Sequence, residues 1–176
     1  LLQTRYLDWK ALHLYCYRVA SVVGLLSAEI FGYTNRQTLK YAHDLGLAFQ
    51  LTNIIRDVGE DARRGRIYLP IDELQRFNVP ARQILDGQYS EDFRKLMSFQ
   101  AERARQLYDQ AFAQLPAEDR KAQRPGLIMA ALALRMQEPM RGATESAEGT
   151  PAAASVTPFR DLLRIPTLWW ITLSGA

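Results

Sequence analysis

QLTNIIRDVGEDARRGRIYLP, residues Gln50 to Pro70, is the stretch whose reading decides the fold. Its first half is free of proline and continues an apolar set that starts earlier, at Leu45, Leu47, Ala48 and Phe49, and goes on through Leu51, Ile54 and Ile55. Recurrence at three- and four-residue steps marks a helix. We read one helix from about Arg36 to Ala62, stopped by Gly65. At roughly 1.5 Å per residue it is about 40 Å long. Asn53, Asp57 and Asp61 stand four residues apart and so line one face, with Gln50 a turn earlier and Glu60 beside them. Like-charged carboxylates at this spacing repel. A cation between them removes the conflict. Carboxylate and amide oxygens favour a hard ion such as Mg²⁺, which keeps positions open for phosphate oxygens. Arg56, Arg63, Arg64 and Arg66 surround the carboxylates. Guanidinium groups bind phosphate bidentately, so the segment reads as a Mg²⁺–diphosphate site. The plain alternative is a solvated face of paired charges near a helix C-terminus. The apolar remainder of the helix predicts instead that the stripe Gln50–Asn53–Asp57 faces other core helices, where polar groups need partners. Spacing alone leaves both readings open.

Working outward, the same helical period recurs. A first helix is expected from about Asp8 to Phe31, ended by Gly32, with Thr34 or Asn35 capping the next. Arg66 to Pro80 reads as a loop with a helical turn at Ile71–Gln75. Residues 90–114 form a third long helix opened by Ser90-Glu91-Asp92. A short helix precedes Pro125, and an apolar one runs from Gly126 to about Gln137. No hairpin signal such as Asn-Gly or Asp-Gly occurs, so the fold class is all-α. Composition changes at Met140. Residues 140–157 read as a linker rich in Gly, Ala, Ser, Thr and Pro, and 158–176 as an apolar tail. Residues 1–139 are therefore one helical domain.

The chain has 176 residues, 48% hydrophobic and 23% charged, which excludes a disordered or collagen-like chain. Lys and Arg (22) nearly balance Asp and Glu (19), so this is no nucleic-acid polycation. No transmembrane helix is predicted, since Val19–Phe31 is short and carries Glu29. One cysteine, Cys16, excludes an internal disulfide and points to the cytoplasm. His13 and His43 read as isolated surface or packing residues, and Cys16 as a small core residue. Trp169 and Trp170 suit a membrane surface or a core equally.

YCYRVASVVGLLSAEIFGY (Tyr15 to Tyr33), followed by LGLAFQLTNIIRDVGEDARRGRIYLP (Leu45 to Pro70), resembles the squalene/phytoene synthase family. The second stretch is similar to that family's second aspartate-rich motif. The resemblance implies an isoprenoid synthase fold, a helical bundle around an apolar cavity. It implies Mg²⁺-dependent head-to-head condensation of two prenyl diphosphates. Ala48-Phe49-Gln50 and Glu29 to Tyr33 are most similar to bacterial presqualene diphosphate synthases of hopanoid biosynthesis, which use farnesyl diphosphate; phytoene synthases, using geranylgeranyl diphosphate, are the near alternative. On this resemblance Asn53, Asp57 and Asp61 are metal ligands. Gln50, Arg56 and Arg66 contact diphosphate, with Arg63 and Arg64 in the same flap. Tyr15 stands near the reacting centre, and Val19, Ala20, Val23 and Gly24 line the cavity. Peripheral contact with the inner membrane face for product release is also implied.

The sequence departs from the family pattern in two places. The first aspartate-rich motif is expected upstream of Tyr15 and is not in this sequence, so the chain corresponds to about the C-terminal two-thirds of a synthase. A substrate-contacting tyrosine is expected near Leu132 and Ala133, and none follows Tyr108. The expectation is little or no turnover by these 176 residues alone. The alternative of another class is a helical fragment that serves as a scaffold without catalysis. No nicotinamide-binding glycine motif is visible, so no reductive step is expected.

Overall fold

Asp8 opens the first helix as its extended N-cap, its Oδ1 accepting from the Ala11 N–H at 2.8 Å. The computed structural model describes residues 5–136; the linker (140–157) and the tail (158–176) lie outside them. Helix α1 (Trp9–Cys16), a π-helical turn (Tyr17–Ser21) and α2 (Val22–Phe31) follow without a gap. The expected helix is thus present, with one wider turn inside it. Gly32 ends it at φ 83°.

Next come α3 (Gln37–Arg56) and α4 (Val58–Arg63). The single helix expected to Ala62 is interrupted at Asp57, which sits at φ −98° and ψ 10°. Helical bonding still crosses the break: Asp57 N–H donates to Asn53 O at 2.9 Å, and Asp61 N–H to Asp57 O at 2.8 Å. The break therefore bends the ladder and keeps its order. Gly65 then closes α4 at φ 70°, a conformation costly for residues with a Cβ. The turn expected at 71–75 is a helix, α5 (Ile71–Arg76). A further helix, α6 (Ala81–Leu85), was not legible in the pattern because five residues are too few to show a period. Helix α7 (Glu91–Gln114) is capped by Ser90, whose Oγ accepts from Phe93 N–H at 3.1 Å. A 3₁₀ turn (Ala117–Asp119) leads to α8 (Arg124–Met136), which starts two residues earlier than expected.

Helix α3 is the centre of the bundle. Tyr41, Ala42, Leu45, Leu47, Ala48, Leu51 and Ile54 are all buried on it, as expected of a helix apolar around most of its girth. Helix α7 covers one side with Leu96, Ala104, Tyr108 and Ala111, and Thr52 Oγ1 lies 3.1 Å from the Tyr108 hydroxyl. The π turn and α2 cover another side at backbone contact distance. A Cβ on Gly46 would stand 2.7 Å from both Ala20 O and Ser21 Cα, and one on Gly24 would run into Ala42 O. Ser21 Oγ donates to His43 O at 2.9 Å in the same crossing.

Two buried polar clusters fix the ends. The Asp119 carboxylate accepts from Thr34 N–H (2.7 Å), Thr34 Oγ1 (2.8 Å), Asn35 N–H (3.0 Å) and Thr38 Oγ1 (2.6 Å). Asn35 Oδ1 also accepts from Gln37 N–H at 2.9 Å, the local cap expected of it, so Asp119 braces a turn that Asn35 caps. Glu73, on α5, accepts from Gln100 and forms a two-pronged pair with Arg103, both on α7. Arg103 lies over the Trp9 ring at 4.2 Å and over Phe99 at 4.7 Å.

Trp9–Phe31 is 23 residues long with a mean hydropathy of 1.4 over its most apolar window. The sequence expectation of no transmembrane helix rested on the apolar run Val19–Phe31 alone, whereas the whole helical run is long and apolar enough to pass a length-and-composition test for one. The helical run is longer than the apolar core of the segment suggests, because α1 is joined to it. Length and composition would let it cross a bilayer, but its close packing on α3 makes it a wall of this bundle.

Candidate functional site

The expected ligands sit where α3 gives way to α4. Asn53 is on the last turn of α3, Asp57 at the break and Asp61 one turn into α4. All three are half-buried. The Asp57 side chain is 39% exposed, so this part of the stripe lies on the rim of the bundle rather than among core helices. The break lets the carboxylate end of the ladder lean outwards.

Charges at this rim are paired. Arg56 Nε and Nη2 donate to Asp57 Oδ1 (2.7 Å) and Oδ2 (2.8 Å). That pairing holds the Asp57 carboxyl below the ordinary carboxylate range and raises Arg56. Arg63 and Arg64 both reach Glu60, at 2.6 and 2.9 Å. Exposed pairs of this kind contribute about 0–1 kcal/mol, so they are cheap to exchange for a phosphate. Asp61 behaves differently. Burial, and then the charge of Asp57, push its carboxyl up, while Arg66 and Arg64 act to lower it. Asp57 and Asp61 are therefore close enough to repel, which is the condition a divalent cation relieves. The donor set of two carboxylates and an amide fits Mg²⁺, which takes few protein ligands and completes its shell with water and phosphate oxygens. Among the described residues, no three His, Cys, Asp or Glu side chains converge on a single point.

The Arg66–Leu69 segment returns from this rim to α1. Arg66 N–H donates to Asp61 O at 2.8 Å. Two residues on, Tyr68 stacks against Tyr15 with ring centroids 5.4 Å apart, and against Tyr6 at 5.9 Å. Tyr6 and Tyr15 are themselves 5.3 Å apart. Burial, and then the Tyr68 hydroxyl, hold the Tyr15 phenol well above its ordinary value. Burial pushes Tyr6 up to about 12. Neither Tyr6 nor Tyr68 was singled out in the sequence, because nothing in local spacing shows that residues 6, 15 and 68 meet. The segment is pinned beyond Tyr68 by Ile71 N–H donating to Tyr6 O (2.9 Å) and Asp72 N–H to Leu7 O (3.1 Å).

The expected wall residues divide. Val19 and Val23 point outwards, with Val23 57% exposed, whereas Gly24 is spent on the contact with Ala42. Val22, Leu26 and Ile30 continue the open apolar face. Leu132, where a tyrosine was expected, is exposed on α8. Cys16 is buried and its thiol is pushed up to about 12 by burial, as suits a packing residue.

The sequence model of the squalene/phytoene synthase family matches residues 1–160. The chain belongs to the squalene/phytoene synthase family. It is 47% identical over 119 residues to a phytoene synthase of Arthrospira platensis, covering 60% of this chain and 38% of that one. It is 42% identical over 137 residues to a 15-cis-phytoene synthase of Synechocystis sp., covering 71% and 41%. The chain thus spans about 40% of the length of these curated relatives. A solved dehydrosqualene synthase with bound ligand superposes with a TM-score of 0.64 at 32% identity, over 77% of this chain and 47% of that one. Squalene synthase HpnC from Alicyclobacillus acidocaldarius superposes at 0.66 with 23% identity, covering 76% and 52%, and shows the shared fold. The all-α isoprenoid synthase fold expected from the two motifs is the fold observed. The family uses divalent metal ions.

Proposed function

We propose that this chain carries the diphosphate-binding half of a prenyltransferase that joins two prenyl diphosphates head to head. The single observation that carries this is the Asn53–Asp57–Asp61 ladder at the α3–α4 break, with guanidinium groups on both sides. Asn53, Asp57 and Asp61 hold Mg²⁺, and Mg²⁺ supplies Lewis acidity to the departing diphosphate. Arg56 and Arg66 meet the diphosphate oxygens, Arg56 by exchanging Asp57 for phosphate, and Gln50 binds from the turn above. Tyr15, braced by Tyr6 and Tyr68, faces the reacting carbons with a phenol kept neutral. Val19, Ala20 and Val23 supply apolar wall that keeps water from an allylic cation.

Two substrate readings are supported. Farnesyl diphosphate, giving presqualene diphosphate for hopanoid synthesis, is supported by Glu29 to Tyr33 and Ala48 to Gln50. Geranylgeranyl diphosphate, giving phytoene, is supported by the identity to cyanobacterial phytoene synthases. The proposed setting is cytoplasmic, with peripheral membrane contact where an apolar product leaves. The ladder alone holds too few ligands for a full metal cluster, so turnover by these 176 residues is proposed to be slight.

The test is calorimetric titration of the folded chain with farnesyl and geranylgeranyl diphosphate, with and without Mg²⁺. Mg²⁺-dependent binding that Asp57→Ala abolishes is the expected result. A folded chain that binds neither compound, or that binds both unchanged after Asp57→Ala, overturns the site. Which compound binds more tightly separates the two substrate readings.

A further inference from the structure

The sequence holds two histidines, His13 and His43. The fold brings their rings to 6.5 Å between centroids. The Tyr17 ring lies 5.5 Å from His43, and Trp9 stands edge-on to His13 at 5.7 Å. Both histidines are half-buried, so solvent reaches them. Asp44 Oδ1 accepts from His43 Nδ1 at 2.8 Å. That bond leaves the Nε2 lone pair of His43 as the free ligating atom. The other Asp44 oxygen accepts only from neutral amides, Gln110 at 3.0 Å and Gln114 at 2.6 Å. Its negative charge is therefore left to act on the imidazole.

We propose that His13 and His43 together bind a divalent transition-metal ion of the Zn²⁺ class, with Asp44 orienting His43 from behind. Imidazole nitrogens select borderline ions of this kind and not Mg²⁺. A carboxylate on the far nitrogen of a ligating histidine fixes its tautomer and raises its basicity. Two protein nitrogens hold the ion, and water completes its shell. The ion ties α1, which carries Tyr15, to α3, which carries Asn53. The site is separate from the Asn53–Asp57–Asp61 ladder and does not depend on the function proposed for it.

The two histidines make the test direct. The chain labelled with ¹⁵N-histidine is titrated with ZnCl₂, and separately with MgCl₂, while both imidazole signals are followed by NMR. Both signals are expected to move together and saturate at one equivalent of Zn²⁺, with no response to Mg²⁺. Asp44→Asn is expected to weaken Zn²⁺ binding about 10-fold or more, and Asp57→Asn to leave it unchanged. Movement of one histidine alone, or shifts that never saturate, would overturn the proposal. So would loss of the response in Asp57→Asn, which would place the ion on the aspartate ladder.

Discussion

Asp119 shows how much one residue can fix. Burial disfavours its charge, but hydrogen bonds from Thr38, Thr34 and Asn35 outweigh that and hold its carboxyl at about 2, below the ordinary 3.8. The folded-state value is depressed, so the stabilisation is present above the unfolded value and is lost as pH falls through about 2. Thermal unfolding followed between pH 5 and pH 2 should show a drop in melting temperature that Asp119→Asn lacks in part. At neutral pH, Asp119→Ala leaves four donors, one buried and three part-buried, without their acceptor. That should cost on the order of 3 kcal/mol in urea unfolding. Asp57 is the contrasting residue. It is exposed enough that Asp57→Ala should change stability by no more than about 0.5 kcal/mol, while removing Mg²⁺-dependent diphosphate binding. A large stability loss in that variant would mean that the Arg56–Asp57 pair is structural.

At the scale of elements, the helix crossings carry the fold. The π turn and α2 meet α3 backbone to backbone at Gly46 and Gly24. Gly46→Ala has no flexible neighbour to push aside and should destabilise by about 1–3 kcal/mol, measured by chemical denaturation. Its effect should be larger than that of Gly59→Ala, where nothing lies within 4 Å of the added Cβ. Helix α5 is held by Glu73, whose partner Arg103 is largely buried between Trp9 and Phe99. Glu73→Ala strands that guanidinium and should cost about 3–5 kcal/mol. Because α5 starts three residues after Tyr68, the same variant should loosen the tyrosine stack and weaken the near-ultraviolet circular-dichroism signal of the folded chain. Arginine stacked on two rings is not replaceable by lysine there.

Within residues 5–136, the bundle around α3 has covered flanks, and α2 carries an exposed apolar face. Helix α3 is enclosed by α7 on one flank and by the π turn and α2 on another. On α2, Val22 (39% exposed), Val23 (57%), Leu26 (59%) and Ile30 (80%) share one helix face. A surface of this extent marks a ligand or partner face rather than scattered exposure. Leu26→Gln combined with Ile30→Gln should leave the urea midpoint nearly unchanged, because neither side chain is packed. The same pair should sharply reduce binding of an apolar fluorescent dye. A drop in stability as large as that of a core substitution would show that the face is covered in solution.

The sequence by itself determined most of the elements and the helical spacing of the ladder. Helical period, the Ser90 cap and the glycine stops are local properties, readable from a few neighbouring residues. So are Asn53, Asp57 and Asp61, because a helix places every fourth residue on one face. The two motifs were long enough to carry the family resemblance as well. What only the tertiary structure decided depends on contacts between distant segments. The break at Asp57 leans the carboxylates to the rim. Tyr68 stacks on Tyr15 across more than fifty residues, with Tyr6 beside both. Asp119, more than eighty residues on, braces the turn that leads into α3. His13 and His43, which read as isolated in the sequence, lie ring beside ring. Local spacing is set by the geometry of a single helix, whereas these meetings are set by the close approach of helices at Gly24 and Gly46, and a periodic pattern carries no record of which faces will meet.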